Sequence, residues 1–369
     1  MIGGLIVIVG IIAMVMIHEG GHFIAAKAVG MKATEFFFGF GPRLWSTQKG
    51  ETEYGIKAIP LGGYVRVVGM NPYEEVDPDD EGRTYREKPF WQKSVVVLAG
   101  IGSHFVVAFI IFYLVATAVG MGSVTTEIDR VQATLEDGTR SPAAVAGLLP
   151  GDTVLALDGI ETPEWEDLVD AIASRPGEEV TLSITRDDRR LEVTAHLASL
   201  DDEVGGKRGF LGVTPGRETV RVGPIAGFGR AADTLGQATV ASVDGMWRLF
   251  TSLGDLVSAT ISGDTERIDE SRPASPIGLV RIGAETEALG LAVTLELVAL
   301  VNVFVGLFNL IPMYPLDGGH FAVALYEKVR GRPADVRKLA PVAAAVVIFM
   351  VLLGVLAIFL DITQPFSLR

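Results

Sequence analysis

Four long apolar blocks dominate the pattern of this chain. Residues 2–17 carry no charge, and the apolar character resumes after "HEGGH" to about Val29. A second block covers 94–120, a third 288–314 with Glu296 inside it, and a fourth 339–360, bounded by Lys338 and Asp361. About 20 apolar residues cross the hydrocarbon core of a bilayer, so each block predicts a spanning helix. The first does not read as a secretory signal, because no basic stretch precedes it and no small-residue cleavage site follows a short apolar core.

Between the blocks the period changes. Residues 36–66 alternate β-prone residues with Gly-Pro and Lys-Gly turns, which predicts a hairpin or small sheet. Phe36, Phe37, Phe38, Phe40 and Trp45 make it apolar for a loop, so it is expected to dip into the membrane face. An exposed edge there could pair with an extended peptide. Residues 71–88 are polar and read as a flexible linker. Residues 122–200 read as a small α/β-domain. The expected elements are a helix at 141–147, a turn at Pro150-Gly151-Asp152, a strand at 153–157 and an Asp-Gly turn at 158–159. A helix over 164–174, capped near Thr162 or Pro163, and two strands joined by "DDRR" complete it. Residues 217–287 have the spacing of an amphipathic helix pair, with turn character at 275–280.

Composition agrees with a membrane protein: 49% of the 369 residues are hydrophobic, concentrated in blocks. The net charge of −14 argues against nucleic acid as a partner, since a phosphate binder needs a basic face. Residues 121–285 hold 28 acidic and 15 basic side chains, so one water-facing region carries nearly all of that charge. Loop 31–93 has nine Lys and Arg, and 315–340 has five. Short basic loops stay on the cytoplasmic side, which places 121–287 and both termini outside. With no cysteine there is no disulfide, and a metal site must draw on His, Asp or Glu. This fits a bacterial protein.

The chemistry sits where lipid should be. His18 and His22 are four apart, so a helix presents both imidazoles on one face as two ligands of one metal. Glu19 can lean over a metal-bound water and take its proton. Ionisable groups at membrane depth are costly and functional by default. Gly20 and Gly21 weaken the helix but would let a partner backbone approach. A catalytic zinc takes three protein ligands and one open position. The best third ligand is Asp317 in "NVFVGLFNLIPMYPLDGGH", where Pro312 and Pro315 break the third block. His320, three residues on, is the alternative. Asn309 could hold a substrate backbone or a developing oxyanion, or make a plain structural hydrogen bond. Glu296 is assigned no chemistry.

HEGGH, "NLIPMYPLDGG" and the domain between blocks two and three together resemble the site-2 proteases, more narrowly the RseP type of bacterial intramembrane zinc protease. The insert resembles a bacterial PDZ domain (AxxAGLxPGDxVxxxDG, then a helix and a hairpin), and "FFFGFGPRLWSTQKGETEYGIKAIPLGGYV" is similar to the membrane-associated β-loop of actinobacterial members. The resemblance implies a polytopic α-helical membrane protein with four transmembrane helices, that β-loop and an extracytoplasmic α/β PDZ domain. The expected segments are 1–30, 94–120, 288–314 and 339–360 in the membrane, 31–93 and 315–338 cytoplasmic, a PDZ domain at 121–216 and an external helical segment at 217–287. It implies Zn2+ held by His18, His22 and Asp317, Glu19 as general base, and cleavage of single-span membrane proteins in the bacterial cytoplasmic membrane. Trimmed anti-sigma factors that control stress responses and signal-peptide remnants are the implied substrates. The PDZ domain is implied to filter them, and it could also bind peptide C-termini. The chain departs from the family's AGPxxN in the second block, reading "AGIGSH" with His104 in place of the asparagine. Two rival readings use the same residues: an idle PDZ scaffold and a metal transporter.

Overall fold

All four apolar blocks are helical in the computed structural model, which describes residues 2–71, 74–135, 138–201, 206–263 and 272–364. Among the described residues, four helices are long and apolar enough to cross a membrane: Ile2–Ala28, Phe90–Val119, Leu291–Leu310 and Arg337–Thr363. The chain divides into two units, Met1–Val119 with Val222–Arg369, and Gly120–Arg221.

In the first unit, α1 (Ile2–Ala28) is followed by two long antiparallel strands, β1 (Ala33–Lys49) and β2 (Thr52–Val67). These fold back on each other. Phe36 pairs with Val65 on one side and with Tyr54 on the other, while Trp45 pairs with Ile56. The result is a sheet of four segments in which 63–67 is an edge. Helix α2 (Phe90–Leu114) follows, continued by a π-helical turn, Val115–Val119. Ala25 and Ala26 of α1, Met31, Val67 and Tyr85 pack with Val96, Val97 and Ile101 of α2, tying the sheet to the end of α1. Residues 71–88, expected as a flexible linker, hold short 3₁₀ turns at Pro78–Asp80 and Tyr85–Glu87 with Thr84 and Tyr85 buried, while residues 72–73 lie outside the described residues.

The same unit continues with α3 (Pro224–Thr251), α4 (Leu253–Ser262) and α5 (Pro276–Thr286). The helix pair expected over 217–287 is present, and it packs on the apolar helices. Ala231 and Ala238 of α3 pack against Ala108 and Phe112 of α2 and against Ala299 and Val303 of the third apolar helix. Small side chains permit this close approach, and Arg230, Asp233, Asp244 and Arg248 on α3 mask it in the sequence. Part of the expected segment, 264–271, lies outside the described residues. The turn expected at 275–280 is instead a helix start. Ser275 Oγ accepts from the amides of Ile277 and Gly278, and Pro276 takes the first turn, where its missing N–H costs nothing.

The third apolar helix is α6 (Leu291–Leu310). Pro312 and Pro315 forbid its continuation, and the chain turns before α7 (Asp317–Arg330) begins. The segment 315–338, expected as a loop, is therefore largely helical. Asp317 in its first turn suits the positive end of the helix dipole. Helix α8 (Ala340–Thr363) is the fourth apolar block.

The second unit holds a sheet, among the described residues, with strands in the order 213–220, 121–131, 153–157, 179–186 and 189–196, and 160–161 pairs with 153–157. Two helices, Pro142–Ala146 and Trp165–Ala173, accompany it. The cap of the second is Glu164, in a reciprocal box with Asp167, rather than Thr162 or Pro163. Asp187 and Asp188 turn the hairpin at positive φ. Ile128, Leu157, Leu168, Leu182 and Ile184 form the core. Strand 213–220 pairs along 121–131, so the expected boundary at residue 216 falls inside a strand. Buried Asp152 accepts from Arg186 Nε and Nη2, each at 2.7 Å, and from the Leu149 amide at 2.8 Å. Burial alone would raise the Asp152 carboxyl, but these bonds hold it below the usual carboxylate range.

Candidate metal centre

The i, i+4 spacing on α1 brings the Nε2 atoms of His18 and His22 to 3.2 Å. Asp317, delivered by the first turn of α7, puts Oδ2 at 3.1 Å from Nε2 of His22 and 3.3 Å from Nε2 of His18. Among the described residues, these three form a group able to hold a metal ion. Tetrahedral coordination with bonds of about 2.0–2.1 Å requires ligand atoms about 3.3–3.4 Å apart. The triangle's edges of 3.1, 3.2 and 3.3 Å come within about 0.3 Å of that spacing.

Donor chemistry supports the same fit. Nδ1 of His22 lies 2.8 Å from the Val96 carbonyl, which can only accept, so the ring proton belongs on Nδ1. The Nε2 lone pair is then left pointing at the other two donors. A carboxylate and two imidazole lone pairs converging at about 3 Å are the natural cage of a cation. Burial would raise the Asp317 carboxyl, but the neighbouring imidazoles, His22 foremost, hold it below the ordinary range.

Two glycines let α1 and α2 meet here. A Cβ on Gly21 would come within 2.6 Å of the Ala99 carbonyl oxygen, and one on Gly100 would overlap the His22 ring. Gly20, expected to serve the same purpose, faces open space: a Cβ placed there would have no neighbour within 4 Å.

Glu19 stands outside the triangle. Its Oε2 accepts a 2.9 Å hydrogen bond from the Val65 amide, on the edge segment of β2. That bond orients the carboxylate and ties α1 to the sheet. Beside it, a cavity of 420 Å³ lies between Tyr64, Val65 and Arg66 on one wall and Tyr314 and His320 on the other. His320 does not join the donors. Its ring lies 4.7 Å from that of Tyr314, and burial pushes its pKa down to about 4, leaving it neutral. Asn309 is half-buried on the last turn of α6, just short of the break. Glu296 is half-buried and outside the group.

His104 is 2% exposed, and its ring lies 4.8 Å from that of His18. Neither of its ring nitrogens has a partner among the described residues. Asn302 on α6, 1% exposed, lies beside it without closing a hydrogen bond. Sequence reasoning passed over Asn302, although an amide in the middle of an apolar span is the signal that marks it. It also had no means of naming the Val65 amide or the Val96 carbonyl, because backbone groups leave no trace in residue identity.

Residues 6–353 match the family described as Peptidase family M50. The zinc metalloprotease Rip1 of Mycobacterium tuberculosis is 31% identical, covering 97% of this chain and 96% of the relative. The zinc metalloprotease Rip1 of Mycolicibacterium smegmatis is 30% identical, covering 100% and 98%. Among solved structures, the PDZ domain of the SdrC-like protein from Listeria monocytogenes is 23% identical, covers 25% of this chain and 86% of that chain, and has a TM-score of 0.19.

Proposed function

Because the chain belongs to Peptidase family M50, the site-2 proteases, and is a zinc metalloprotease, we propose that His18, His22 and Asp317 hold its zinc and Glu19 is the general base. The observation that carries this reading is the triangle of donor atoms, with edges of 3.1, 3.2 and 3.3 Å. Zinc in such a site lowers the pKa of a water to about 7 and polarises a substrate carbonyl.

The side chains do the rest. Glu19, aimed by the Val65 amide, takes the proton from the attacking water and returns it to the leaving amine. Val96 keeps the His22 ring turned toward the donors. Asn309 holds the substrate backbone or the oxyanion near the end of α6.

The substrate is a single membrane-spanning helix. A helix resists proteolysis because its carbonyls are already bonded, so cleavage requires an unwound stretch. The edge of β2 beside Glu19 supplies backbone partners for such a stretch, and the 420 Å³ cavity supplies room. Exposed Phe40, Leu44 and Trp45 on the sheet suit a lipid surface. In this reading the site lies near the cytoplasmic face of a bacterial cytoplasmic membrane, with both termini and residues 120–221 outside. The latter unit acts as a PDZ filter that admits proteins already trimmed outside, such as anti-sigma factors or signal-peptide remnants. The idle-scaffold and transporter readings lose support from relatives that are zinc metalloproteases along nearly their whole length.

Reconstitution with a single-span substrate tests the proposal. Glu19→Gln should abolish processing while zinc stays bound. Unchanged processing would end the general-base assignment.

A further inference from the structure

We infer that His104, Asn302 and the outer nitrogen of His18 enclose a buried water site between α1, α2 and α6 that fixes the orientation of the His18 ring. The inference rests on the reading of His18 as a zinc ligand and goes beyond it.

Four polar atoms carry the argument. Nδ1 of His18, Nδ1 and Nε2 of His104 and Oδ1 of Asn302 are all sealed from solvent, and none has a hydrogen-bond partner among the described residues. Their placement is mutual. A Cβ on Gly306 would come within 2.9 Å of His104 Cβ, so α6 touches α2 at this side chain. Asn302 lies one turn earlier on the same face of α6. Its amide nitrogen is already committed to the Val298 carbonyl at 2.9 Å, which leaves Oδ1 as the free end.

The two imidazoles cannot satisfy each other. Their ring centroids are 4.8 Å apart with the planes tilted by 33°, and no nitrogen of one ring closes a hydrogen bond to the other. Ring N–H groups and lone pairs lie in the ring planes, so they run past one another. The Gly100 carbonyl, near His18, closes no bond to Nδ1 and already accepts from Ser103 Oγ at 2.7 Å. A third body has to close the bonds.

The chemistry of the four atoms names it. His18 offers Nε2 to the metal, so its proton sits on Nδ1, a donor. Neutral His104 has one donor and one acceptor, and Asn302 Oδ1 is an acceptor. The two ring nitrogens of His104 point apart, so one water meets one of them, together with Nδ1 of His18 and Oδ1 of Asn302, a mixed set of donors and acceptors that water can match. A buried water usually makes about three hydrogen bonds to groups of this kind. Ring centroids 4.8 Å apart bring the two imidazoles within reach of one bridging water.

The need for it follows from the other histidine. A metal-bound imidazole donates its second nitrogen to a fixed acceptor, which holds the ring in place. His22 has the Val96 carbonyl for this, whereas Nδ1 of His18 has no protein partner among the described residues. Water held by His104 and Asn302 fills that role, so both act as positioning residues.

The test uses the full chain in detergent or nanodiscs. Zinc affinity is read by chelator competition alongside thermal stability and the kcat/KM split. His104→Leu should keep the helices folded, since leucine fills a similar apolar volume, as circular dichroism checks. It should weaken zinc about 10–100-fold, the usual effect of losing a ligand's supporting partner. His104→Asn, which keeps a donor and an acceptor, should stay within a few-fold of wild type. Asn302→Leu should lose zinc affinity too, and the double variant should lose no more than either single one. Asn302→Leu carries the test if His104→Leu does not fold. Zinc bound as tightly by both leucine variants as by wild type overturns the inference while leaving His18 as a ligand. Zinc binding that ignores His18→Ala overturns the metal reading itself, and this inference with it.

Discussion

Replacing Gly100 by alanine adds a methyl group at the tightest point of the site. The new Cβ would lie 2.7 Å from Cδ2 of His22 and closer still to Nε2 and Cε1. Ordinary carbon contacts sit at about 3.5–4.0 Å, so the ring has to retreat by about 1 Å. It cannot slide in its own plane without stretching the 2.8 Å bond from Nδ1 to Val96. Backbone cannot yield easily either, because Gly21 on α1 already abuts the Ala99 carbonyl. Metal sites tolerate displacements of roughly 0.2 Å, so a shift of this size should cost more than the 10–100-fold typical of disturbed supporting contacts. The assay is zinc affinity by chelator competition on purified protein, with circular dichroism to show that the helices persist. Gly20→Ala serves as the control. Nothing lies within 4 Å of its Cβ position, and alanine favours helix by about 1 kcal/mol, so zinc should bind as in wild type. Equal affinity in Gly100→Ala and wild type would refute the close-approach argument.

Two further outcomes are expected. Val65→Pro removes the N–H that aims Glu19, and because that N–H faces α1 the change spares the pairing with β1; a charge-assisted bond of about 1.5–3 kcal/mol corresponds to turnover slowed about 10–100-fold with zinc retained, and an unchanged rate counts against the orienting role. In the unit Gly120–Arg221, Asp152 has a depressed pKa when folded, so its contribution is complete above the unfolded value near 3.8 and fades as pH falls through the folded value. Asp152→Ala should therefore speed amide exchange in that unit at neutral pH, by about 3 kcal/mol of lost local stability, and should matter little at the most acid pH; a pH-independent effect would contradict the linkage.

The sequence exposed this protein unevenly. The spanning helices were legible because lipid demands long apolar runs, and the histidine pair because helical spacing alone puts both rings on one face. Asp317 could be chosen since two prolines end α6 just before it and leave the carboxylate at the start of a new helix. Strand 153–157 and its Asp-Gly turn were bounded to the residue, because turn chemistry is local. Other features depend on distant packing. Helix α3 was legible as amphipathic, but its seat on α2 and α6 through buried alanines was not. The start of α5 looked like a turn because the same Ser-Pro signature opens helices. Segment 315–338 looked like a loop because glycine and proline punctuate only its ends, and α7 fills the middle. The partners of Glu19 and His22 are backbone atoms from residues 46 and 74 positions away, which no single-sequence pattern can name.

The measurement that bears most directly on the account is zinc-edge X-ray absorption on the purified chain, paired with metal stoichiometry, for wild type and Asp317→Asn. The account predicts one zinc per wild-type chain, coordinated by two imidazoles and oxygen at about 2.0–2.1 Å, and a large loss of zinc in the variant. An ion retained in Asp317→Asn with an unaltered spectrum would show that the ion is not gripped between α1 and α7.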